Sequence, residues 1–65
     1  MRLTINGKRR EVESVGTVEE LIASLGIHRT IVVEHNGAIL QKERYAATPL
    51  NEDDVLEILH MVGGG

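Results

Sequence analysis

The chain ends Gly63-Gly64-Gly65, directly after the strand-like run Val55-Leu56-Glu57-Ile58-Leu59-His60-Met61-Val62. Glycine loses more conformational freedom on ordering than any other residue, so three in succession add nothing to a core. They offer slimness instead. A backbone without Cβ atoms, together with the carboxylate at its end, threads a cleft that rejects side chains. The reactive group this pattern points to is the carboxylate of Gly65, with Gly63 and Gly64 as its access tail; the tail taken alone fits equally a merely flexible end or an expression scar.

The other residue types that carry chemistry are poorly placed for it. His28, His35 and His60 have no metal-ligand spacing, and a zinc site needs three or four converging ligands. No Ser/His/Asp arrangement is present. The terminal glycines do not precede a helix, so they form no phosphate-cradling loop. With no cysteine, the chain has no disulfide, no iron–sulfur cluster and no thiolate zinc site. These residues offer no active site of the chain's own, so the expectation is no enzyme, no metal and no stably bound cofactor.

Composition narrows the partners. Sixty-five residues make one domain, and a chain this short buries roughly 60% of its unfolded surface. Hydrophobic residues at 42% are enough for a small core. Tyr45 is the single aromatic residue, which leaves no platform for base stacking. A net charge of -3 argues against nucleic acid and anionic membrane, and Lys8-Arg9-Arg10 is an isolated basic run at a turn. No apolar run approaches a membrane span, and no signal-peptide pattern opens the chain. The expected location is cytoplasmic.

The elements that position the tail follow from periodicity and turn signals. Met1, Leu3 and Ile5 alternate with Arg2 and Thr4 as in a half-buried strand. Asn6-Gly7 is a tight hairpin signal, and the return strand is predicted over Arg9 to Ser14 with Val12 inward. Thr17-Val18-Glu19-Glu20 reads as a capping box. Val18, Leu21, Ile22 and Leu25 follow one helical face, and Gly26 sits at the expected left-handed end, giving a helix over roughly residues 18–25. Ile31 to His35 reads as a central strand, because it begins apolar on both faces. Asn36-Gly37 signals a second hairpin into Ala38-Ile39-Leu40.

Residues 41–48 read as polar, with Tyr45 anchored at the core edge, and Leu50 as a core plug after Thr48-Pro49. Asn51-Glu52-Asp53-Asp54 reads as an acidic turn, and Val55 to Val62 as the last strand, parallel to the first. The architecture is α+β: one helix across a mixed sheet of four to five strands. In the last strand, Leu56 and Ile58 are expected to face the helix. Glu57, Leu59 and Met61 then face away, as a partner-binding patch beside the tail. The alternative is that the chain's own loops cover Leu59 and Met61.

Taken together, the opening hairpin, the helix capped at Thr17, Val33-Glu34-His35-Asn36-Gly37, the acidic turn before Val55-Leu56-Glu57-Ile58 and the glycine end resemble one family. It is the β-grasp family of sulfur carriers, which groups ThiS-like and MoaD-like carriers with ubiquitin. The resemblance covers essentially the whole chain. It implies a β-grasp domain over residues 1–62 and a flexible tail over 63–65. It also implies that a ThiF-like adenylyltransferase, using ATP and magnesium, converts the Gly65 carboxylate to a glycyl adenylate. Sulfur from a persulfide, supplied by a donor such as a cysteine desulfurase, then gives a Gly65 thiocarboxylate. A ThiG-like thiazole synthase receives that sulfur to form the thiazole of thiamin. Three other outcomes stay open: a MoaD-like subunit supplying sulfur for molybdopterin, a ubiquitin-like modifier of lysines, and a generic interaction domain with an idle tail. Lacking cysteine, this chain has no side chain that could carry sulfur as a persulfide.

Overall fold

Alternation in the first residues puts Leu3 and Ile5 on one face, where both are buried. The computed structural model describes residues 1–61. In it Arg2–Ile5 forms β1, and Asn6 and Gly7 reverse the chain with φ of 51° and 80°. Positive φ at both central residues is what a type I′ hairpin demands, and asparagine followed by glycine tolerates it best. The return strand β2 is Lys8–Glu11, shorter than predicted. Val12 still donates its N–H to the Met1 carbonyl at 2.9 Å, but Ser14 adopts φ of 59°. A left-handed residue ends an extended strand, which is why β2 does not reach Ser14.

Helix α1 spans Val18–Ser24 with Thr17 as N-cap. The capping box is complete: Glu20 N–H donates to Thr17 Oγ1 at 3.2 Å, and Glu20 Oε1 accepts from Thr17 N–H at 3.1 Å. The same oxygen accepts from Gly16 N–H at 2.7 Å. Val18 and Leu21 are fully buried, with Ile22 and Leu25 packed around them. A seven-residue helix is too short to stand alone, so this apolar face holds it on the sheet.

Strands β3 (Ile31–His35) and β4 (Ala38–Leu40) form the second hairpin around Asn36 and Gly37, with φ of 50° and 87°. A 3₁₀ helix over Lys42–Ala47 follows. Its two short turns leave no periodic apolar signature, so the segment reads only as polar in sequence. It seats Tyr45 in the core, and Leu50 is buried after Pro49. Strand β5 spans Val55–His60.

The sheet order is β2-β1-β5-β3-β4. Strand β5 runs parallel to β1 and antiparallel to β3, so the last strand is the middle of the sheet. Strand β3 is an inner strand beside it, with only Val33 fully buried. Its second apolar residue, Val32, lies half-buried on the face away from α1, opposite Leu59. The helix covers one face, and the core is Leu3, Ile5, Val18, Leu21, Val33, Tyr45, Leu50, Leu56 and Ile58. This is the β-grasp fold.

Candidate functional site

The side chains of β5 divide by parity. Leu56 and Ile58 are buried under α1, whereas Val55, Glu57 and Leu59 point to the open face. Register partners share a face in an antiparallel pair. Val32 opposes Leu59, Glu34 opposes Glu57, and Glu34 also opposes Ile39 of β4. The open face therefore carries an apolar field around two half-buried glutamates. Leu59 is 51% exposed and Met61 57%, so no loop among the described residues covers them. Val55 and Ile39 are exposed beside them. Met61 is already past the end of β5, yet its N–H donates to the Thr30 carbonyl at 3.1 Å. The β3-side edge thus holds the chain up to Met61. Gly63, Gly64 and Gly65, named above as the reactive end, lie outside the described residues, as does Val62.

Both Asn-Gly turns do more than reverse the chain. Asn36 N–H donates to the Val55 carbonyl at 2.7 Å, and Asn36 Oδ1 accepts from Val55 N–H at 2.8 Å. Asn6 N–H donates to the Leu56 carbonyl at 2.9 Å. Its side chain accepts from Ile58 N–H at 2.7 Å and donates to the Ile58 carbonyl at 3.1 Å. One asparagine grips the start of β5 and the other grips its middle. Sequence reasoning finds the turns and misses the grips, because those span 52 residues for Asn6 and 19 for Asn36.

The acidic turn holds the other surprise. Asp54 is only 8% exposed. Its Oδ2 accepts from His35 Nε2 at 2.8 Å and from Asn51 N–H at 3.0 Å, and its Oδ1 accepts from Asn36 Nδ2 at 3.1 Å. Burial works against ionisation of this carboxyl. The donors from His35, Asn51 and Asn36, with the His35 charge, outweigh it and hold Asp54 below the usual carboxylate range. Asp54 therefore belongs to the fold, unlike a solvated turn residue. Its neighbours Glu52 and Asp53 are exposed and pair with Arg2 and Arg9.

Among the described residues no group of His, Asp and Glu could hold a metal ion. His28 borders a groove with Glu19, Lys42 and Tyr45, and His60 is exposed at the end of β5. Burial, and secondarily Glu43, push the Tyr45 hydroxyl above its ordinary value, as suits a core anchor. No helix among the described residues is long and apolar enough to cross a membrane. The geometry of the described residues presents an open sheet face and a strand held on its β3 side up to Met61.

Known proteins share this arrangement. The family model described as "ThiS family" matches residues 3–65. The chain is 42% identical over 65 residues to the sulfur carrier protein ThiS of Bacillus subtilis, covering 97% of this chain and 98% of that protein. It is also 42% identical over 66 residues to a thiazole synthase of Paramagnetospirillum magneticum. That match takes in all of this chain, which spans only 20% of the synthase's length. The crystal structure of the thiamine biosynthesis protein ThiS from Geobacter metallireducens superposes over 100% of both chains, with a TM-score of 0.84 and 36% identity. A structural match over the whole chain, a relative covered to 98% of its length and a family match over residues 3–65 establish that the chain belongs to the ThiS family.

Proposed function

We propose that this chain is a sulfur carrier for the synthesis of the thiamin thiazole, with the Gly65 carboxylate as its sulfur-accepting group. The observation that supports this most is the end-to-end likeness to the sulfur carrier protein ThiS of Bacillus subtilis, together with a sequence in which the last strand is followed, after Met61 and Val62, by Gly63-Gly64-Gly65. The likeness to a thiazole synthase supports the identity of the acceptor.

A carboxylate resists nucleophiles because its carbonyl carbon is electron-rich. In the proposed reaction a Gly65 oxygen attacks the α-phosphate of ATP on a ThiF-like adenylyltransferase, and pyrophosphate leaves. A persulfide sulfur from a cysteine desulfurase route then attacks the acyl carbon, and AMP departs with the electron pair of the broken C–O bond. A thiol reduces the resulting acyl disulfide, leaving the thiocarboxylate on Gly65. ATP and magnesium belong to the activating enzyme; this chain contributes the acyl group and no cofactor.

The chain's own residues do two things in this scheme. Gly63 and Gly64 have no Cβ to collide with a crowded activating site. Ordering them costs roughly 1–2 kcal/mol per residue, so the folded domain must supply the affinity. Leu59 and Met61 on the open face, with Glu57 beside them, are the surface that supplies it. Methionine adapts to more than one partner, and a carrier meets both an activator and an acceptor.

The test is reconstitution. The thiocarboxylate form of the chain is given to a ThiG-like thiazole synthase with its carbon substrates, and to molybdopterin synthase lacking its own small subunit. Thiazole formed in step with thiocarboxylate consumed is the expected result. Sulfur delivered only to molybdopterin, or to neither acceptor, contradicts the proposal.

A further inference from the structure

The exposed large hydrophobics among the described residues are Ile39, Val55, Leu59 and Met61, and they gather on one side of the sheet. Val55 and Leu59 alternate outward along β5, Met61 follows two residues on, and Ile39 shares the face through its register with Glu34. Half-buried Val32 lies opposite Leu59. Apolar residues scattered singly are ordinary on a surface, whereas a contiguous field marks an interaction site. Two charges interrupt this field. Glu34 and Glu57 are register partners on neighbouring strands, and both are half-buried. Side chains directly opposite lie about 4.5–5.5 Å apart at Cβ, and like charges so placed destabilise a sheet. The cations of the same face are committed elsewhere: Arg2 pairs with Glu52, and Arg9 with Asp53. Neither Glu34 nor Glu57 has an ion pair among the described residues.

We propose that this face docks a partner protein that seats a guanidinium between Glu34 and Glu57, with apolar groups around it. The inference rests on the sulfur-carrier reading above and deepens it. The partner is the activating adenylyltransferase, for which the proposed reaction needs affinity from the folded domain. Covering the face takes both carboxylates out of water, which is costly unless each gains a partner. Apolar groups alone leave that cost standing. A second copy of this chain adds to it, since a twofold contact sets the same patch against itself and brings four carboxylates together. A guanidinium carries five donors in a planar fork, enough to serve carboxylates on adjacent strands at once. An ammonium is a compact point charge that holds its water more tightly. The glutamate pair thus sets the chemistry of the partner, while Ile39, Val55, Leu59 and Met61 supply the area.

The test removes charge at nearly constant shape. Glu34→Gln and Glu57→Gln are each titrated against a ThiF-like adenylyltransferase by calorimetry, with urea unfolding in parallel. Glu19→Gln, at an exposed acid on α1 across the sheet, controls for net charge. Each variant of the pair is expected to bind about tenfold more weakly, and Glu19→Gln within about twofold of the unsubstituted chain. Relief of the like-charge opposition should leave the urea midpoint of both pair variants at or above that of the unsubstituted chain. Weaker binding without weaker folding is a combination that a merely structural role does not give. Arginines on the enzyme surface are then changed to methionine one at a time. One of them is expected to abolish the difference between Glu57→Gln and the unsubstituted chain. Unchanged or tighter binding by the pair variants means an apolar partner surface and overturns the inference. An equal loss in Glu19→Gln, a matching fall in stability, or no arginine coupled to Glu57 overturns it too. If the unsubstituted chain supports no ATP–pyrophosphate exchange with the enzyme, the carrier reading itself fails, and this inference with it.

Discussion

Three donors converge on the Asp54 carboxylate: His35 Nε2, Asn51 N–H and Asn36 Nδ2. They hold its folded-state pKa below the value in the unfolded chain. Ionised Asp54 therefore stabilises the fold. That contribution is fully present above the ordinary aspartate value of about 3.9. It is lost as pH falls through the lower, folded-state value. Asp54→Asn is expected to lower stability at pH 7 by about 1–3 kcal/mol, as when a buried hydrogen-bonded acceptor is lost. Urea unfolding followed across acidic pH should also show a shallower loss of stability for Asp54→Asn than for the native chain; parallel curves would contradict this assignment. None of this is legible in Asn51-Glu52-Asp53-Asp54, which reads as a solvated acidic turn. The burial of Asp54 depends on His35 and Asn36, which lie 19 and 18 residues away in sequence.

The elements divide in the same way between local and distant causes. Helix α1 is legible because its signals are local: Thr17 and Glu20 close the capping box, and Val18, Leu21, Ile22 and Leu25 mark one face. The hairpins are legible because Asn6-Gly7 and Asn36-Gly37 specify their own backbone angles. The 3₁₀ helix over Lys42–Ala47 is not, since tertiary seating of Tyr45 rather than any periodic pattern holds it. Leu21 is fully buried between helix and sheet. Leu21→Ala is expected to cost about 2–5 kcal/mol, enough in so small a domain to remove most of its cooperative thermal transition. A transition within a few degrees of the native one would show that α1 contributes little to the core. Leu59 behaves oppositely. It lies on the open face, where β5 leaves it half exposed. Leu59→Glu is expected to change unfolding free energy by no more than about 0.5 kcal/mol. The same change should weaken binding to the activating enzyme about tenfold or more, as for an apolar anchor at an interface centre. Titration calorimetry with that enzyme, beside urea unfolding, separates the two; a large stability loss would place Leu59 in the core instead.

At the scale of the molecule, the fold is a handle with one covered face and one open face. Helix α1 and the 3₁₀ helix shelter the core side of the sheet, while the other side presents Leu59, Met61, Val32 and Ile39 around Glu34 and Glu57. The middle strand is also the last among the described residues. That topology flanks β5 with a strand on each side, β1 and β3, and the glycines follow it in sequence. The division of labour is legible in sequence, because the glycine end and the alternation of β5 are both local. The anchoring by Asn6 and Asn36 is not, because it exists only once β5 lies beside both turns.

The central claim is that chemistry occurs at one carboxylate, that of Gly65. Intact-mass measurement tests it most directly, after incubation with ATP, magnesium, a ThiF-like adenylyltransferase, a cysteine desulfurase and cysteine. An exchange of one oxygen for one sulfur, confined to the C-terminal peptide and abolished by deletion of Gly65, is the predicted result. An unshifted mass, or a shift that survives the deletion, would contradict it.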